Sequence, residues 1–239
     1  TVQDVSGNTV TNSSAAITVE SSSGSNSTLS GNSTPTSATN GVATFSGLTQ
    51  TGTKGTYVLT FRSGSLAIDY QDIVVSYGAA TKLVLTTSPL GFVNRTNFDV
   101  QPAVTVQDAY DNTVTNYATA ISVAMTGGST LTGSSTSATP SSGVATFSGL
   151  GAYGLVANTN VLTFSSGALG TATQSFNLTH GPAYQLAIAT QASGATNGSV
   201  FTVQPVVEIQ DRDGNRVTTG TQSTQDVVVS ASATTLAGT

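Results

Sequence analysis

Apolar residues in this chain fall in short alternating runs separated by polar turns. Ile121, Val123 and Met125 share one face of an extended segment, Leu162 and Phe164 one face of another, and Phe176 and Leu178 one face of a third. A period of two over a handful of residues marks a half-buried strand. Seven extended segments are predicted in the middle of the chain: 82–87, 101–107, 119–125, 129–132, 143–147, 159–165 and 172–179. The same alternation appears earlier, in Leu59 with Phe61 and in Ile73 with Val75. No apolar run approaches the roughly 18 residues that cross a membrane as a helix.

The runs recur in one order. Thr1-Val2-Gln3-Asp4-Val5-Ser6-Gly7-Asn8-Thr9-Val10 returns as Thr105-Val106-Gln107-Asp108-Ala109-Tyr110-Asp111-Asn112-Thr113-Val114. A looser copy is Glu208-Ile209-Gln210-Asp211-Arg212-Asp213-Gly214-Asn215-Arg216-Val217. Gly41-Val42-Ala43-Thr44-Phe45-Ser46-Gly47-Leu48 is repeated without change at 143–150, and Val58-Leu59-Thr60-Phe61 at 161–164. Self-similarity at a fixed period indicates tandem modules. Tyr77-Gly78-Ala79-Ala80 and His180-Gly181-Pro182-Ala183 hold equivalent places before an apolar strand. The expected domains are therefore 1–78, an incomplete repeat without its N-terminal strand; 79–181, a complete repeat; and 182–239, an incomplete repeat without its C-terminal strands. Seven short strands in about 103 residues is the count of an immunoglobulin-like sandwich. The expected fold class is all-β, a tandem array of such sandwiches with about seven strands each.

Composition narrows the function. Six Lys and Arg stand against eleven Asp and Glu, a net charge of −5, so the basic footprint of a nucleic-acid binder is missing. Without Cys there is neither a disulfide frame nor a thiolate zinc site, and without Trp the core rests on aliphatics and Phe. Ser and Thr supply 75 of the 239 residues. Hydrophobic residues still make up 37%, and the net charge is small, which separates the chain from disordered sequences.

The three Asp-containing blocks resemble the D-x-x-G-N-x-V turn of bacterial immunoglobulin-like repeats, found in invasin- and intimin-type adhesins and other large prokaryotic surface proteins. The Gly-Val-Ala-Thr-Phe block is similar to the strand G-x-A-x-F of those repeats, and Gly52 to Phe61 resembles their G-T-Y-x-L-T strand, with Tyr57 at the aromatic position. The second repeat departs from the pattern at two places, with Asn160 for the Tyr and Asp111 for the turn Gly. The resemblance implies an extracellular, secreted or cell-surface setting.

The turn motif has two readings. In one, Asp caps a hairpin turn and Gly or Asn takes positive φ. In the other, Asp211, Asp213 and Asn215 offer alternate oxygens to a calcium ion, the cofactor candidate of this chain. Ser6 and Tyr110 replace Asp213 in the other copies, which confines that reading to the third repeat. His180 has no neighbouring nucleophile or acid in sequence and is expected to make a junction contact. The carboxylates are scattered through a duplicated scaffold, and no enzymatic activity is expected. Sequons at Asn12, Asn26, Asn32, Asn94, Asn177 and Asn197 are glycosylation candidates, with Asn26 and Asn32 in the longest polar stretch.

The expected role is structural: a stalk, fibre, filament or surface-layer element whose partners are adjacent repeats or neighbouring copies of itself. Open sandwich edges suit head-to-tail assembly by strand complementation. The alternatives are an adhesin module gripping a host glycan or protein, with Tyr110, Tyr117 and Tyr153 as candidate contacts, and a phage tail or capsid decoration.

Overall fold

The computed structural model describes residues 1–22, 27–31 and 34–230. The chain is all-β apart from a single turn of 3-10 helix at Thr221–Thr224 among those residues. It forms two compact units. The first contains Thr1–Lys82 and Val106–Tyr117, and the second Leu83–Thr105 and Ala118–Thr239.

In the first unit, Thr36–Ser37, Ala16–Ser21, Gly55–Arg62 and Asp69–Val75 lie side by side in one antiparallel sheet. Thr28–Ser30 pairs with Thr49–Thr51 in a second, two-stranded sheet. The register sets Val19 opposite Phe61 and Tyr57 opposite Ile73. Alternation then buries Val19, Tyr57 and Leu59, leaves Glu20 and Thr56 toward water, and keeps Thr18, Val58 and Thr60 partly covered. The Tyr57 hydroxyl donates to the Thr53 carbonyl at 2.6 Å, so the buried ring keeps its polar end satisfied.

The second unit repeats this plan more completely. Ser137–Ala138, Ile121–Thr126, Thr159–Ser165 and Ala172–Asn177 make its four-stranded antiparallel sheet. Val144–Thr146, Ala103–Gln107 and Lys82–Thr87 make a three-stranded sheet, and Thr130–Thr132, Gly151–Tyr153 and Thr96–Asn97 another. Gln185–Thr190 and Val206–Gln210 close a two-stranded antiparallel hairpin. Ile121, Val104, Phe147, Leu150, Leu162 and Phe164 form a fully buried core. Phe92 stacks on Phe176 at 4.2 Å between centroids, and Phe98 meets both rings edge-on. Offset and edge-to-face contacts of this kind add about 1 kcal/mol each to the area they bury.

All seven strands expected in the middle repeat are present, most of them a residue or two shorter than expected. Thr96–Asn97, Ser137–Ala138 and Gly151–Tyr153 were not expected. Two or three residues carry too little alternation to register as a period. Asn160, in the position of Tyr57, is fully buried, and its Nδ2 donates to the Asn158 carbonyl at 3.3 Å.

Candidate functional site

The Asp-x-x-x-Asn motif folds the same way in each copy. Val10 donates its N–H to the carbonyl of Val2, Val114 to Val106, and Val217 to Ile209, so each motif is the tip of a hairpin. Inside the turn, one carboxylate oxygen of Asp211 accepts the N–H groups of Asp213 and Asn215, both at 2.9 Å. Asp108 does so for Tyr110 and Asn112, and Asp4 for Ser6 and Asn8, at the same distance. The residue before the Asn takes positive φ: 82° at Gly7, 66° at Asp111 and 84° at Gly214. Glycine suits two of these places because a Cβ is unfavourable there, and Asp111 shows the short polar exception. Turn capping is thus as expected, with positive φ on the residue before the Asn and not on the Asn itself.

Two of the three turns do more. In the second unit, the other Asp211 oxygen accepts the N–H of Gly181 at 2.9 Å. Asn215 Oδ1 accepts the N–H of Val156 at 2.9 Å, and its Nδ2 donates to the carbonyl of Gly154 at 2.9 Å. In the first unit, Asp108 accepts from Gly78 at 2.7 Å, Asn112 Oδ1 accepts from Lys54 at 2.7 Å, and Asn112 Nδ2 donates to Gly52 at 3.1 Å. Gly52, Lys54 and Gly78 are the repeat counterparts of Gly154, Val156 and Gly181. Within each of the two units, one Asp–Asn pair therefore clamps the same three backbone groups. All four side chains are buried. A buried polar side chain left without a partner costs about 1–3 kcal/mol, and bonds to these backbone groups are what spare the Asp and Asn side chains that loss.

The second unit adds a layer that sequence reasoning missed. Asn94 is fully buried; its Nδ2 donates to Asp211 at 2.8 Å and to Asp213 at 2.7 Å, and its Oδ1 accepts from Gly154 at 2.9 Å. Arg95 grips Asp213 through two nitrogens, both at 2.6 Å, and lies over the Tyr153 ring at 4.5 Å. Gly181 sits so close to the Asn94 carbonyl that an added Cβ would meet it at 2.8 Å. No local signal marks Asn94 and Arg95, because their partners Tyr153, Gly154, Asp211 and Asp213 are all remote from them in sequence.

Charge follows this geometry. Burial raises the cost of ionising Asp211, yet the N–H groups of Asn215, Gly181 and Asn94 outweigh it and hold the carboxyl at about 2. Burial opposes ionisation of Asp108 as well, and Asn112 and Gly78 bring it below the ordinary carboxylate range. Arg95 lowers Asp213, against partial burial.

The remaining candidates separate. The calcium trio Asp211, Asp213 and Asn215 is together in space, with its oxygens turned to N–H donors and to the Arg95 guanidinium. Among the described residues no group of three or more His, Asp or Glu side chains is placed to hold a metal. His180 bonds the Gly181 carbonyl at 3.0 Å and the Thr219 hydroxyl at 2.9 Å. Of the sequon asparagines, Asn12, Asn177 and Asn197 are exposed. Asn94 is corrected: its amide nitrogen is buried against two carboxylates, so the folded protein presents no acceptor there. Asn26 and Asn32 lie outside the described residues. Tyr110 and Tyr117 belong to the first unit and Tyr153 to the second.

No protein-family model and no curated protein matches the chain. Similar solved structures include a β-glucuronidase from Parabacteroides merdae, at 13% identity and a TM-score of 0.32 over 52% of this chain and 16% of that one. A β-glycosidase from Bacteroides vulgatus is 13% identical with a TM-score of 0.35, over 68% and 21%. Domains 1–6 of the surface layer protein SbsC are 17% identical with a TM-score of 0.31, over 90% and 26%. The chain spans between about a sixth and a quarter of these proteins. No helix among the described residues is long and apolar enough to cross a membrane.

Proposed function

We propose that this chain is a structural segment of a secreted or surface-anchored prokaryotic repeat protein, a stalk, fibre or surface-layer element. Its working part is the Asp–Asn clamp, which fastens the turn of one repeat to the backbone of the repeat before it. The observation that carries the reading is the duplication of the clamp on equivalent backbone groups: Asp108 and Asn112 on Gly78, Lys54 and Gly52, and Asp211 and Asn215 on Gly181, Val156 and Gly154. A clamp of buried, fully paired polar groups specifies one arrangement, because every alternative leaves some of them without partners. The covalent junctions at 77–81 and 180–184 are only a few residues long. A load passing along the chain is shared there between the backbone and the clamp. The role is mechanical, without a catalytic step.

Single-molecule pulling of the full chain tests this. Asp108→Ala and Asp211→Ala are expected to lower the force at which the adjoining repeat opens. Unchanged force in both variants would overturn the reading.

A further inference from the structure

Four of the six basic side chains have carboxylate partners. Arg62, Lys82, Arg95 and Arg216 each form an ion pair. Lys54 and Arg212 have no carboxylate within ion-pair distance among the described residues. Arg212 is nevertheless held in place, with its guanidinium over the Tyr184 ring at 5.5 Å from the centroid. A guanidinium stacked on a ring keeps its N–H edge open to an acceptor.

Arg212 and Tyr184 line a cavity of about 180 Å³, together with Asn94, Arg95, Pro182 and Asp211. All of these residues belong to the second unit. Apart from the two guanidinium groups, the polar side chains of the wall are matched. Asn94 donates to Asp211 and Asp213 and accepts from Gly154. Asp211 accepts the N–H groups of Gly181, Asp213 and Asn215 as well. Arg95 uses Nε and one terminal nitrogen on Asp213, which leaves its second terminal nitrogen without an acceptor among the described residues. The cavity therefore offers donors and asks for acceptors.

The preceding junction shows that the fold does not require this pair of side chains. Thr81 and Ala109 hold the repeat positions of Tyr184 and Arg212. Thr81 donates its N–H to the Gln107 carbonyl at 2.9 Å, and Tyr184 donates to the equivalent Gln210 at 2.8 Å. All four residues are exposed, so exposure belongs to the position. One backbone geometry carries a ring and a cation at one junction and neither at the other.

We propose that this cavity binds the carboxylate of an acidic sugar residue. The carboxylate takes the N–H edge of Arg212 in a charge-assisted pair of hydrogen bonds. Tyr184 fixes the guanidinium before the ligand arrives, and its ring, 65% exposed, offers an apolar surface to the C–H side of the sugar. Arg95 and Arg212 stand against Asp211 and Asp213 there, so the formal charges cancel. A singly charged carboxylate gains by pairing with Arg212, whereas a doubly charged phosphate is repelled twice as strongly by the two aspartates. An acidic peptide side chain brings the carboxylate without a ring for Tyr184. The site goes beyond the mechanical role, because it gives the chain a contact with acidic polysaccharide.

NMR titration of the full 239-residue chain with D-glucuronate tests this, with glucose, acetate and inorganic phosphate as comparison probes. Glucuronate is expected to shift the amides of Tyr184 and Arg212 saturably, with a Kd of about 1 mM for a ligand of its size. The amides of Thr81 and Ala109 are expected to stay in place. Glucose lacks the charge and acetate the ring, so each is expected to bind about 10-fold more weakly. Arg212→Ala is expected to weaken glucuronate binding by about 10-fold and Tyr184→Ala by about 3-fold. Both side chains are exposed, and the amide spectrum of each variant reports whether its fold is kept. No saturable shift, an equal response to acetate or phosphate, or undiminished binding in Arg212→Ala would overturn the proposal. Neither substitution removes a clamp side chain, so the result is independent of the pulling experiment.

Discussion

The turns at Asp4–Asn8 and Asp211–Asn215 share an internal geometry and differ in their surroundings. In both, Asp accepts two turn N–H groups at 2.9 Å, the Asn amide reaches back to the Asp carboxylate, and a glycine takes positive φ. Asp4 and Asn8 are exposed, while Asp211 and Asn215 are buried and hold the backbone of Gly154, Val156 and Gly181. The turn is thus encoded by its own few residues. The clamp is a tertiary use of that turn, and its energy comes from partners far away in sequence. The same motif is expected to matter little where its side chains are exposed, as at Asp4 and Asn8, and much where they are buried, as at Asp211 and Asn215.

The largest effect that separates the two turns is removal of the carboxylate. Asp211→Ala strands the N–H groups of Gly181 and Asn94 and is expected to cost about 4 kcal/mol in urea unfolding of the second unit. Asp4→Ala loses only solvent-exposed capping bonds and is expected to cost about 1 kcal/mol or less. Next come the amides. Asn215→Ala is expected to cost about 3 kcal/mol by the same measurement, and Asn8→Ala less than about 0.5 kcal/mol.

Acid sharpens the contrast further. The folded pKa of Asp211 lies below its unfolded value, so the carboxylate adds stability above the unfolded pKa, and that stability is lost as pH falls through the folded one. With the folded value at about 2, the window runs from about pH 4 down to about pH 2, and the loss is about 2 kcal/mol. Urea midpoints measured across that range in the wild type and in Asp211→Asn check this, since the variant lacks the titrating group and is expected to show a flatter profile.

The smallest effect concerns the middle turn, where Asp111 stands at φ 66° in place of the glycine of the other two. Asp111→Gly relieves the left-handed backbone and gives up an exposed ion pair with Lys82. The first term is about 1 kcal/mol and the second lies between about 0 and 1 kcal/mol, so a net gain of about 0.5 kcal/mol in thermal unfolding is expected.

The all-β architecture was legible in the alternation at Ile121, Val123 and Met125 and in the repeated Gly-Val-Ala-Thr-Phe blocks. The turn was legible as well, because Asp, Gly and Asn act on neighbours within four residues. The clamp was not. Whether Asp108 and Asp211 are buried depends on the backbone of Gly78 and Gly181, which reads as an ordinary loop. Asn94 read as a sequon because its sequence neighbours are Arg95 and Thr96, whereas its burial is decided by Asp211 and Gly154. Comparing repeats would have pointed in the right direction: Gly52 and Gly154 precede the same Val-Leu-Thr-Phe strand, and Gly78 and Gly181 follow an aromatic residue in both copies.

Amide hydrogen exchange at Val156 and Gly181, read by NMR, tests the clamp most directly, since side-chain atoms of Asn215 and Asp211 are their acceptors. Both amides are expected to be protected in the wild type. Asn215→Ala is expected to release Val156, and Asp211→Ala to release Gly181, while the amides of the Thr159–Ser165 strand keep most of their protection. Exchange at the open-chain rate in the wild type, or protection unchanged in both variants, would contradict the clamp.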